Sequence, residues 1–425
     1  MPSPYKHPRE ERVNLWLKVT FYVLAAVYLL NCLSPLRLHV DMLRYFAIKD
    51  CIELGCPPDA VASRDYLPYG YTALLLLLSK LHLLHSFVVI MINCAYLFGG
   101  LWLVKKLFVS NLSPFLFAVM VLLNWTVIKF VTHPLSEMQY LFFSMASLYF
   151  FYRYTRDKRI LYLLASFACG ALAFITRSVG VALAAALVTG LIWQFRRELI
   201  LLIRRNKILV SVIFLIVIGV IIFSRQLGLD HYAGVFNKQF KEGATFSTIL
   251  KWHFTEWSEI GLNTSIVKLL PFFPAVVARW IFLIGGIFLF AGFIRILFFR
   301  RDSIPFIVKA YLFFYTILMF DWPFYDPRFW VPVLPLVAAV IAAGTFPRAG
   351  IRRVAVAVFL TVYIALGIVS VGYMTYTSLN RKVMARTQAN GVYRNEYETV
   401  FFGRPQSDTA RHIDPAVLSV IRRYN

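Results

Sequence analysis

"YLPYGYTALLLLLSKLHLLH", residues 66–85, is the stretch that decides how this chain is arranged. Its strong apolar run covers only residues 71–78, and Ser79, Lys80 and His82 follow closely. A membrane-spanning helix needs about 20 mainly apolar residues, and runs of about 10–14 are more typical of interfacial or re-entrant segments. The stretch therefore predicts a short helix on the membrane surface rather than a membrane span.

The composition is that of a membrane protein with many spans. Hydrophobic residues make up 60% of the 425 residues, charged residues 15%, and the mean hydropathy is +0.68. A soluble domain typically has about 45–50% apolar and about 25% charged residues. The first 18 residues, "MPSPYKHPREERVNLWLK", are too charged for a cleaved signal peptide, so we expect the first span to remain as an anchor.

Eleven other segments are apolar enough to be spans. They lie at about residues 15–33, 86–104, 113–131, 138–152, 160–175, 178–195, 208–224, 276–299, 305–320, 329–346 and 354–373. With 66–85 on the surface and the N-terminus inside, the basic clusters fall in cytoplasmic loops, where Lys and Arg normally accumulate. These clusters are Lys105–Lys106, Arg153–Arg159, Arg196–Lys207, Arg300–Arg301 and Arg348–Arg353. We therefore predict an all-α, multi-pass membrane protein with about eleven transmembrane helices, a cytoplasmic N-terminus and an extracytoplasmic C-terminus.

This topology gathers the long polar segments at the outer face. We expect a transmembrane module over residues 1–374, with outer loops at 34–85 and 225–274, and a small extracytoplasmic tail at 375–425. The tail has too few apolar residues for a core of its own, so we expect it to pack on the outer loops. No GxxxxGK[ST] phosphate loop occurs in the sequence, which argues against an ATP-driven engine in this chain.

The net charge of +23 raises the question of nucleic acid, because clustered Lys and Arg neutralise phosphates. Retention of basic loops in the cytoplasm and their contact with anionic lipid explain the same excess. We therefore expect membrane lipids, and no nucleic acid, among the partners.

Cysteine and histidine patterns indicate no metal site. The five cysteines form no CxxC pair, and Cys51 and Cys56 are either a disulfide in an oxidising compartment or two free thiols. His133, His231 and His253 lie on the outer side without metal-ligand spacing such as HExxH. No cofactor is therefore expected, although a divalent metal stays an open alternative.

Asp41 lies just beyond the first span, in "LHVDMLRYFAIKDCIELGC" (38–56). Asp41, Arg44 and Tyr45 share one helical face, because residues three and four apart are neighbours on a helix. A surface pair with Arg44, worth a few tenths of a kcal/mol, is one explanation. Acids near the membrane are costly and tend to be functional. From its position Asp41 is therefore either half of a surface ion pair or a functional residue.

Other charged residues fall on the same predicted face. Glu137 follows "THPLS" at the start of a helix, where an acid can also be a simple cap. Arg177 stands in a connection with almost no loop, and Arg328 follows Asp326 and Pro327. Fixed guanidinium groups bind phosphate in a bidentate manner, although snorkelling explains cations at such positions equally well. The candidate substrate-binding residues are Arg44, Tyr45, Lys129, His133, Glu137, Arg177, Asp326 and Arg328.

The ordered set of motifs resembles the GT-C superfamily of integral-membrane glycosyltransferases, particularly the protein O-mannosyltransferases and the lipid A aminoarabinose transferase. The motifs are "VDMLRYFAIKDCIELG" (40–55), "YLPYGYTALLLLLSKL" (66–81), "LVKKLF" (103–108), "THPLSEMQYLF" (132–142), "TRSVGVALA" (176–184) and "DPRFWVPVLPL" (326–336). Many relatives carry two closely spaced acids in the first outer loop, whereas here Met42 follows Asp41. This departure leaves the acceptor class open.

The resemblance implies a GT-C-like fold with juxtamembrane helices in the first outer loop and a sugar donor carried on a polyprenyl or dolichyl phosphate. It implies that Asp41 is the catalytic base, and that Arg328 and Arg177 lie near the lipid phosphate. Glu137 is the candidate where a second acid is needed. The acceptor would be a glycan, lipid or protein, and the expected location is a bacterial inner membrane with the site facing outward.

Two other classes of protein stay open. A polysaccharide polymerase or ligase would transfer a whole glycan from a lipid pyrophosphate, with its essential acid expected in the loop at 225–274. A lipid or sugar transporter would show internal repeats and charged or broken helices at mid-membrane depth. The placement of charge at one face favours the glycosyltransferase.

Overall fold

The computed structural model describes residues 8–108, 115–197, 229–299, 304–343, 350–405 and 413–425. Within these residues the chain is helical and contains no strand. The helices are α1 (Pro8–Leu30), α2 (Val40–Leu54), α3 (Tyr69–Lys80), α4 (Ser86–Leu107), α5 (Leu116–Leu122), α6 (Trp125–Val131), α7 (Glu137–Asp157), α8 (Ile160–Thr176), α9 (Gly180–Gln194), α10 (Leu229–Lys241), α11 (Phe246–Gly261), α12 (Ala275–Phe299), α13 (Phe306–Phe320), α14 (Leu334–Ala343), α15 (Ile351–Leu379), α16 (Arg381–Thr387), α17 (Arg394–Phe402) and α18 (Pro415–Tyr424).

Long apolar helices make this an integral membrane protein. Among the described residues, the segments Arg12–Leu33, Ser86–Leu107, Ala275–Phe299 and Arg353–Leu379 are long and apolar enough to cross a membrane. The helices α8, α9 and α13 and the segment Pro327–Ala343 are apolar but shorter. Large apolar side chains such as Trp16 and Phe288 are exposed on the long helices, as contact with lipid requires. The predicted span at 208–224 lies outside the described residues, and the count of eleven stays a prediction.

Residues 66–85 contain the short helix α3, Tyr69–Lys80. Its 12 residues extend about 18 Å, which is too short to cross the hydrocarbon core. α3 packs against α2 and α8. Gly70 permits this contact, because a Cβ there would lie 2.7 Å from the carbonyl oxygen of Ile175. The prediction of a short helix is confirmed, and its place on the membrane surface stays a prediction.

The segment predicted as a span over 113–131 is not one continuous helix, because the chain breaks between α5 and α6 at Asn124. The Asn124 side chain accepts a hydrogen bond from Thr126 N at 3.1 Å, and it donates to Ile260 O at 3.0 Å and Tyr363 OH at 3.1 Å. Asn263 donates to Leu123 O at 3.0 Å. Side chains from distant helices therefore satisfy the polar groups that the break exposes, as an apolar surrounding demands.

A second difference concerns the span predicted at 329–346. The chain first forms a 3₁₀ turn, Pro327–Val333, and only then continues as α14. Pro332 and Pro335 cannot donate main-chain hydrogen bonds, which explains the tighter turn before the regular helix. The prolines therefore place Arg328 on a fixed turn rather than on a long helix.

The C-terminal segment packs on the first long connection, as the sequence led us to expect. Leu36 N donates to the Asn425 side chain at 2.8 Å, and Lys49 Nζ donates to Tyr424 OH at 2.9 Å. Cys51 and Cys56 form a disulfide at the end of α2, with their Cα atoms 4.9 Å apart. These contacts fix the helix that begins beside Asp41.

Candidate active site around Arg328

A buried arginine stands at the centre of the charged cluster. Arg328 Nη2 lies 2.8 Å from Asp41 Oδ2, and its Nε lies 3.1 Å from Asp326 Oδ2 and 3.3 Å from Glu137 Oε1. Its side chain is only 6% exposed. Residues that are far apart in the sequence thus surround one guanidinium with three carboxylates.

Local structure explains how Arg328 and its nearest acid are positioned. Asp326 is the N-cap of the 3₁₀ turn, and its carboxylate accepts a hydrogen bond from Arg328 N at 2.9 Å. Pro327 occupies the first position of that turn, where a missing N–H costs nothing. Asp326 therefore acts on Arg328 through both the main chain and the side chain.

Asp41 is placed by the start of α2. His39 is the N-cap, and its Nδ1 accepts a hydrogen bond from Asp41 N at 3.2 Å. Arg328 Nη1 lies 3.3 Å from the same ring nitrogen. An acid in the first turn of a helix is favoured by the helix dipole, so this position suits an ionised Asp41.

Arg177 supplies the second guanidinium of the cluster. Its Nη1 donates to Glu137 Oε1 at 2.6 Å and to Ser136 Oγ at 3.1 Å. Tyr45 OH donates to Ser136 Oγ at 3.0 Å. Arg177 is placed there because the chain leaves α8 with extended backbone angles before α9 begins. Tyr45 thus contacts the cluster through a serine hydroxyl.

Two polar atoms of the cluster retain unused hydrogen-bonding capacity. Arg328 Nε and Glu137 Oε2 are buried, and neither has a hydrogen bond to any residue that the structure describes. The contacts of Arg328 Nε with the two carboxylates are close but not aligned as hydrogen bonds. Buried polar groups normally have partners, so the cluster can accept a further polar group.

Arg44 is committed mainly to a residue of the same connection. Its Nε and Nη2 donate to the two oxygens of Asp65 at 2.8 and 2.7 Å, and its guanidinium lies 4.5 Å from the centre of the Tyr66 ring. The contact of Nη1 with Asp41 Oδ1 is longer, at 3.4 Å. The geometry favours a role in holding the first connection beside Asp41.

Lys129 and His133 stand at the margin of the cluster. Lys129 Nζ lies 5.7 and 5.0 Å from the ring centres of Trp125 and Phe130, and it forms no ion pair within the described parts of the chain. His133 Nδ1 lies 2.8 Å from Lys129 O, and its ring centre is 6.4 Å from that of His39. The structure therefore brings Asp41, Glu137, Arg177, Asp326 and Arg328 together, with Lys129 and His133 beside them.

The surrounding charges act on the titration of Asp41 and His39. Burial raises the pKa of the Asp41 carboxyl, but the Arg328 guanidinium and His39 oppose this and leave the pKa below its ordinary value. Burial, and after it the charge of Arg328, lowers the pKa of His39. At neutral pH the cluster therefore has an ionised Asp41 beside a neutral imidazole.

Sequence reasoning missed several residues that shape the site. His39, Asp65 and Ser136 contact the predicted residues directly. Glu256 of α11 contacts the turn that carries Arg328, and His253 of the same helix contacts Trp322 O, which precedes that turn. A polar residue before a helix start could have indicated His39 as a cap. Nothing in the spacing could have indicated Glu256, which lies 70 residues from its partner Asp326.

Among the described residues, no group of three or more His, Cys, Asp or Glu side chains could hold a metal ion. Glu137, Asp41 and Asp326 all face guanidinium nitrogens. The arrangement is accordingly suited to binding an anion and to accepting a proton.

The chain is similar in structure to ArnT. The similarity is to the crystal structure of ArnT from Cupriavidus metallidurans bound to undecaprenyl phosphate, with a TM-score of 0.44 and 16% sequence identity over 91% of this chain and 68% of that chain. A scan against protein-family models and a search of curated proteins give no match.

Proposed function

We propose that this protein is a GT-C-type glycosyltransferase that moves a sugar from a polyprenyl-phosphate donor to an acceptor hydroxyl, with Asp41 as general base. The contact of 2.8 Å between Arg328 Nη2 and Asp41 Oδ2 carries this proposal. It places a buried cation suited to a lipid phosphate directly beside a carboxylate suited to accept the proton of an attacking hydroxyl.

Arg328 is the residue best placed to bind the donor phosphate. Its guanidinium is planar and permanently charged, and such groups bind phosphate through paired hydrogen bonds. Arg177 adds a second positive charge, because both arginines contact Glu137. Negative charge develops on the departing lipid phosphate during transfer, and fixed guanidinium groups in a site with little water stabilise it.

Donor binding would rearrange the ion pairs of the cluster. Arg328 Nη2 is already paired with Asp41, so a phosphate oxygen that binds this nitrogen replaces that carboxylate. Glu137 is 1% exposed, and Asp326, although 27% exposed, is tied to the turn by Arg328 N, whereas the Asp41 side chain is 26% exposed and, among the described residues, pairs only with arginine side chains. Asp41 is therefore the carboxylate that the phosphate replaces.

This exchange would couple donor binding to base activation. While Asp41 pairs with Arg328, its pKa is below the ordinary value and it is a weak base. Once a phosphate oxygen occupies Arg328 Nη2, that stabilisation of the ionised form is lost and the pKa of Asp41 rises. The base thus gains strength when the sugar donor is in place.

An apolar cavity nearby suits the lipid chain of such a donor. A cavity of about 390 Å³ is lined by side chains of α11, α12, α14 and α15, including Trp257, Phe293 and Tyr363. The Trp257 ring packs 5.2 Å from that of Trp330, two residues beyond Arg328. An isoprenoid chain lying in this cavity would have its phosphate end close to the charged cluster.

These contacts favour a lipid-pyrophosphate polymerase less than a glycosyltransferase. That activity would place its essential acid in the segment 225–274, where Glu256 lies beside the site. Both Glu256 oxygens, however, accept hydrogen bonds from the protein, and the residue is fully buried. Asp41 is the more accessible acid.

The proposed function is tested by measuring sugar transfer by the purified protein in lipid. Lipids that copurify with the protein are identified by mass spectrometry, and the corresponding polyprenyl-phosphate sugars are then offered with a panel of hydroxyl acceptors. We expect transfer that depends on Asp41. Movement of the lipid across vesicles without any sugar transfer would instead support the transporter.

A further inference from the structure

The turn that carries Arg328 is tied to α11 by a single carboxylate. Glu256 Oε1 accepts a hydrogen bond from Asp326 N at 2.6 Å, and Glu256 Oε2 accepts one from Trp330 Nε1 at 2.8 Å. Asp326 and Trp330 lie two residues before and two residues after Arg328. Glu256 therefore restrains the turn on both sides of the guanidinium without touching it.

His253 extends the same restraint to the start of the segment. Its Nδ1 lies 2.8 Å from Glu256 Oε2, and its Nε2 lies 2.7 Å from Trp322 O. The two ring nitrogens of His253 thus link the Glu256 carboxylate to the main-chain carbonyl of Trp322.

This hydrogen-bonded pair is enclosed by the protein. The side chains of His253 and Glu256 are 1% and 0% exposed. The His253 ring lies 5.6 Å from Phe320, and Trp330 lies 6.0 Å from the same phenylalanine. A buried pair is costly unless all its hydrogen bonds are made, and such pairs can serve to select one conformation. Here the pair holds the segment from Trp322 to Trp330 in one conformation, because it contacts both ends of that segment.

We propose that Glu256 and His253 are positioning residues, which hold the Arg328 guanidinium where it meets the phosphate of the lipid donor. The inference rests on the proposed function, in which Arg328 binds that phosphate. Neither residue contacts the donor. Instead, they determine where the Arg328 side chain lies. A displacement of about 1 Å at a binding group can lower the rate by up to about a hundredfold.

Glu256→Gln removes the charge while keeping the size of the side chain. The amide can accept from only one of the two donors, so its NH₂ group faces either Asp326 N or Trp330 Nε1. We expect donor affinity to fall by about tenfold or more. His253→Gln, which can donate to only one of its two acceptors, is expected to weaken donor binding in the same direction.

The decisive experiment is a double-mutant cycle on donor binding, with polyprenyl-phosphate sugar titrated into purified protein in lipid nanodiscs. In an Arg328→Ala background, Glu256→Gln should cause no further loss, because its effect is exerted through Arg328. Ser166→Ala is the matched control. It removes a buried hydrogen bond of 2.9 Å between α8 and α7, away from the cluster, so it should leave donor affinity unchanged.

The outcomes separate this inference from the function on which it rests. Losses that add in the double variant, or a folded Glu256→Gln protein with the parent's donor affinity, would overturn the positioning role. If Glu256→Gln yields no folded protein, His253→Gln takes its place in the same cycle. A parent protein that binds no donor, or Arg328→Ala with full affinity, would instead overturn the proposed function.

Discussion

One oxygen of Glu137 contacts two arginines: Oε1 lies 2.6 Å from Arg177 Nη1 and 3.3 Å from Arg328 Nε. Two like charges that converge in a buried place repel each other, and the shared carboxylate offsets this repulsion. Glu137 thereby sets how far apart the two guanidinium groups lie. A phosphate that contacts Arg328 meets a site whose second cation is already in place.

Asp41→Asn should separate the base from the phosphate site. Asparagine keeps the size of the side chain but accepts no proton, so turnover should fall by about 10²–10⁴. Donor affinity should persist or increase, because the neutral amide no longer competes with the phosphate for Arg328. The measurement is turnover beside donor titration. Asp50→Asn on the same helix is the control, since Asp50 pairs with Lys49 and Arg423. Normal turnover by Asp41→Asn would remove the proposed base.

The pH dependence of transfer should show that the donor changes the pKa of Asp41. In the free protein that pKa is lowered, so kcat/KM for the donor should fall only when the pH drops through this low value. In the donor complex Arg328 is occupied, and the pKa is higher. Because kcat reports the complex, its acid limb should lie at higher pH than that of kcat/KM. Coincident acid limbs would contradict the exchange of Asp41 for phosphate.

Arg328→Ala should weaken donor binding. Loss of one charge-assisted hydrogen bond costs about 1.5–3 kcal/mol, which corresponds to roughly a tenfold to hundredfold lower affinity. Arg177→Ala is expected to act in the same direction. Arg153→Ala is the control, because Arg153 forms a half-exposed pair with Asp157 elsewhere. An unchanged donor titration for Arg328→Ala would refute the assignment of the phosphate site.

Glu137→Gln should destabilise the protein strongly, because it leaves two buried guanidinium groups with less compensation. Removing one partner of a buried ion pair costs about 3–5 kcal/mol in the free energy of unfolding. Donor lipid should restore part of the loss, since ligand binding stabilises the folded state. Thermal unfolding with and without donor measures both effects. Asp157→Asn, at an exposed pair, should cost less than about 1 kcal/mol.

The predicted topology can be checked by labelling single cysteines in a variant without native cysteines. Lys158 and Glu242 are exposed in the structure and lie on opposite sides in the predicted topology. Lys158→Cys should react with an impermeant maleimide only after the membrane is opened, whereas Glu242→Cys should react in intact cells. Reaction of Lys158→Cys from outside would exclude the predicted orientation.

The sequence predicted those parts of the site that depend on local geometry. Asp41 and Arg44 form the predicted contact because they are three positions apart on a helix. The apolar runs likewise predicted the long helices, because length and composition decide whether a segment suits a membrane.

Pairings between distant segments could not be predicted in this way. Arg44 pairs with Asp65 in the same connecting segment, and Arg328 pairs with Asp41, which is far away in the sequence. The break at Asn124 is stabilised by Ile260 O and by Tyr363, which no local pattern indicates. A polar residue in an apolar run shows where a helix can break, but its partners decide whether it does.

The close approach at Gly70 has a consequence for how the site meets its lipid. A Cβ at Gly70 would lie 2.9 Å from Thr176 Cα, directly before Arg177, and Gln139 Nε2 donates to Gly70 O at 3.4 Å. The helix α3, too short to cross the bilayer, is thus joined to the backbone that bears one guanidinium and to the helix that bears Glu137. Headgroups lie at a depth set by the membrane, not by the protein. At its predicted place on the membrane surface, α3 would therefore keep the two arginines at the depth of the lipid phosphates.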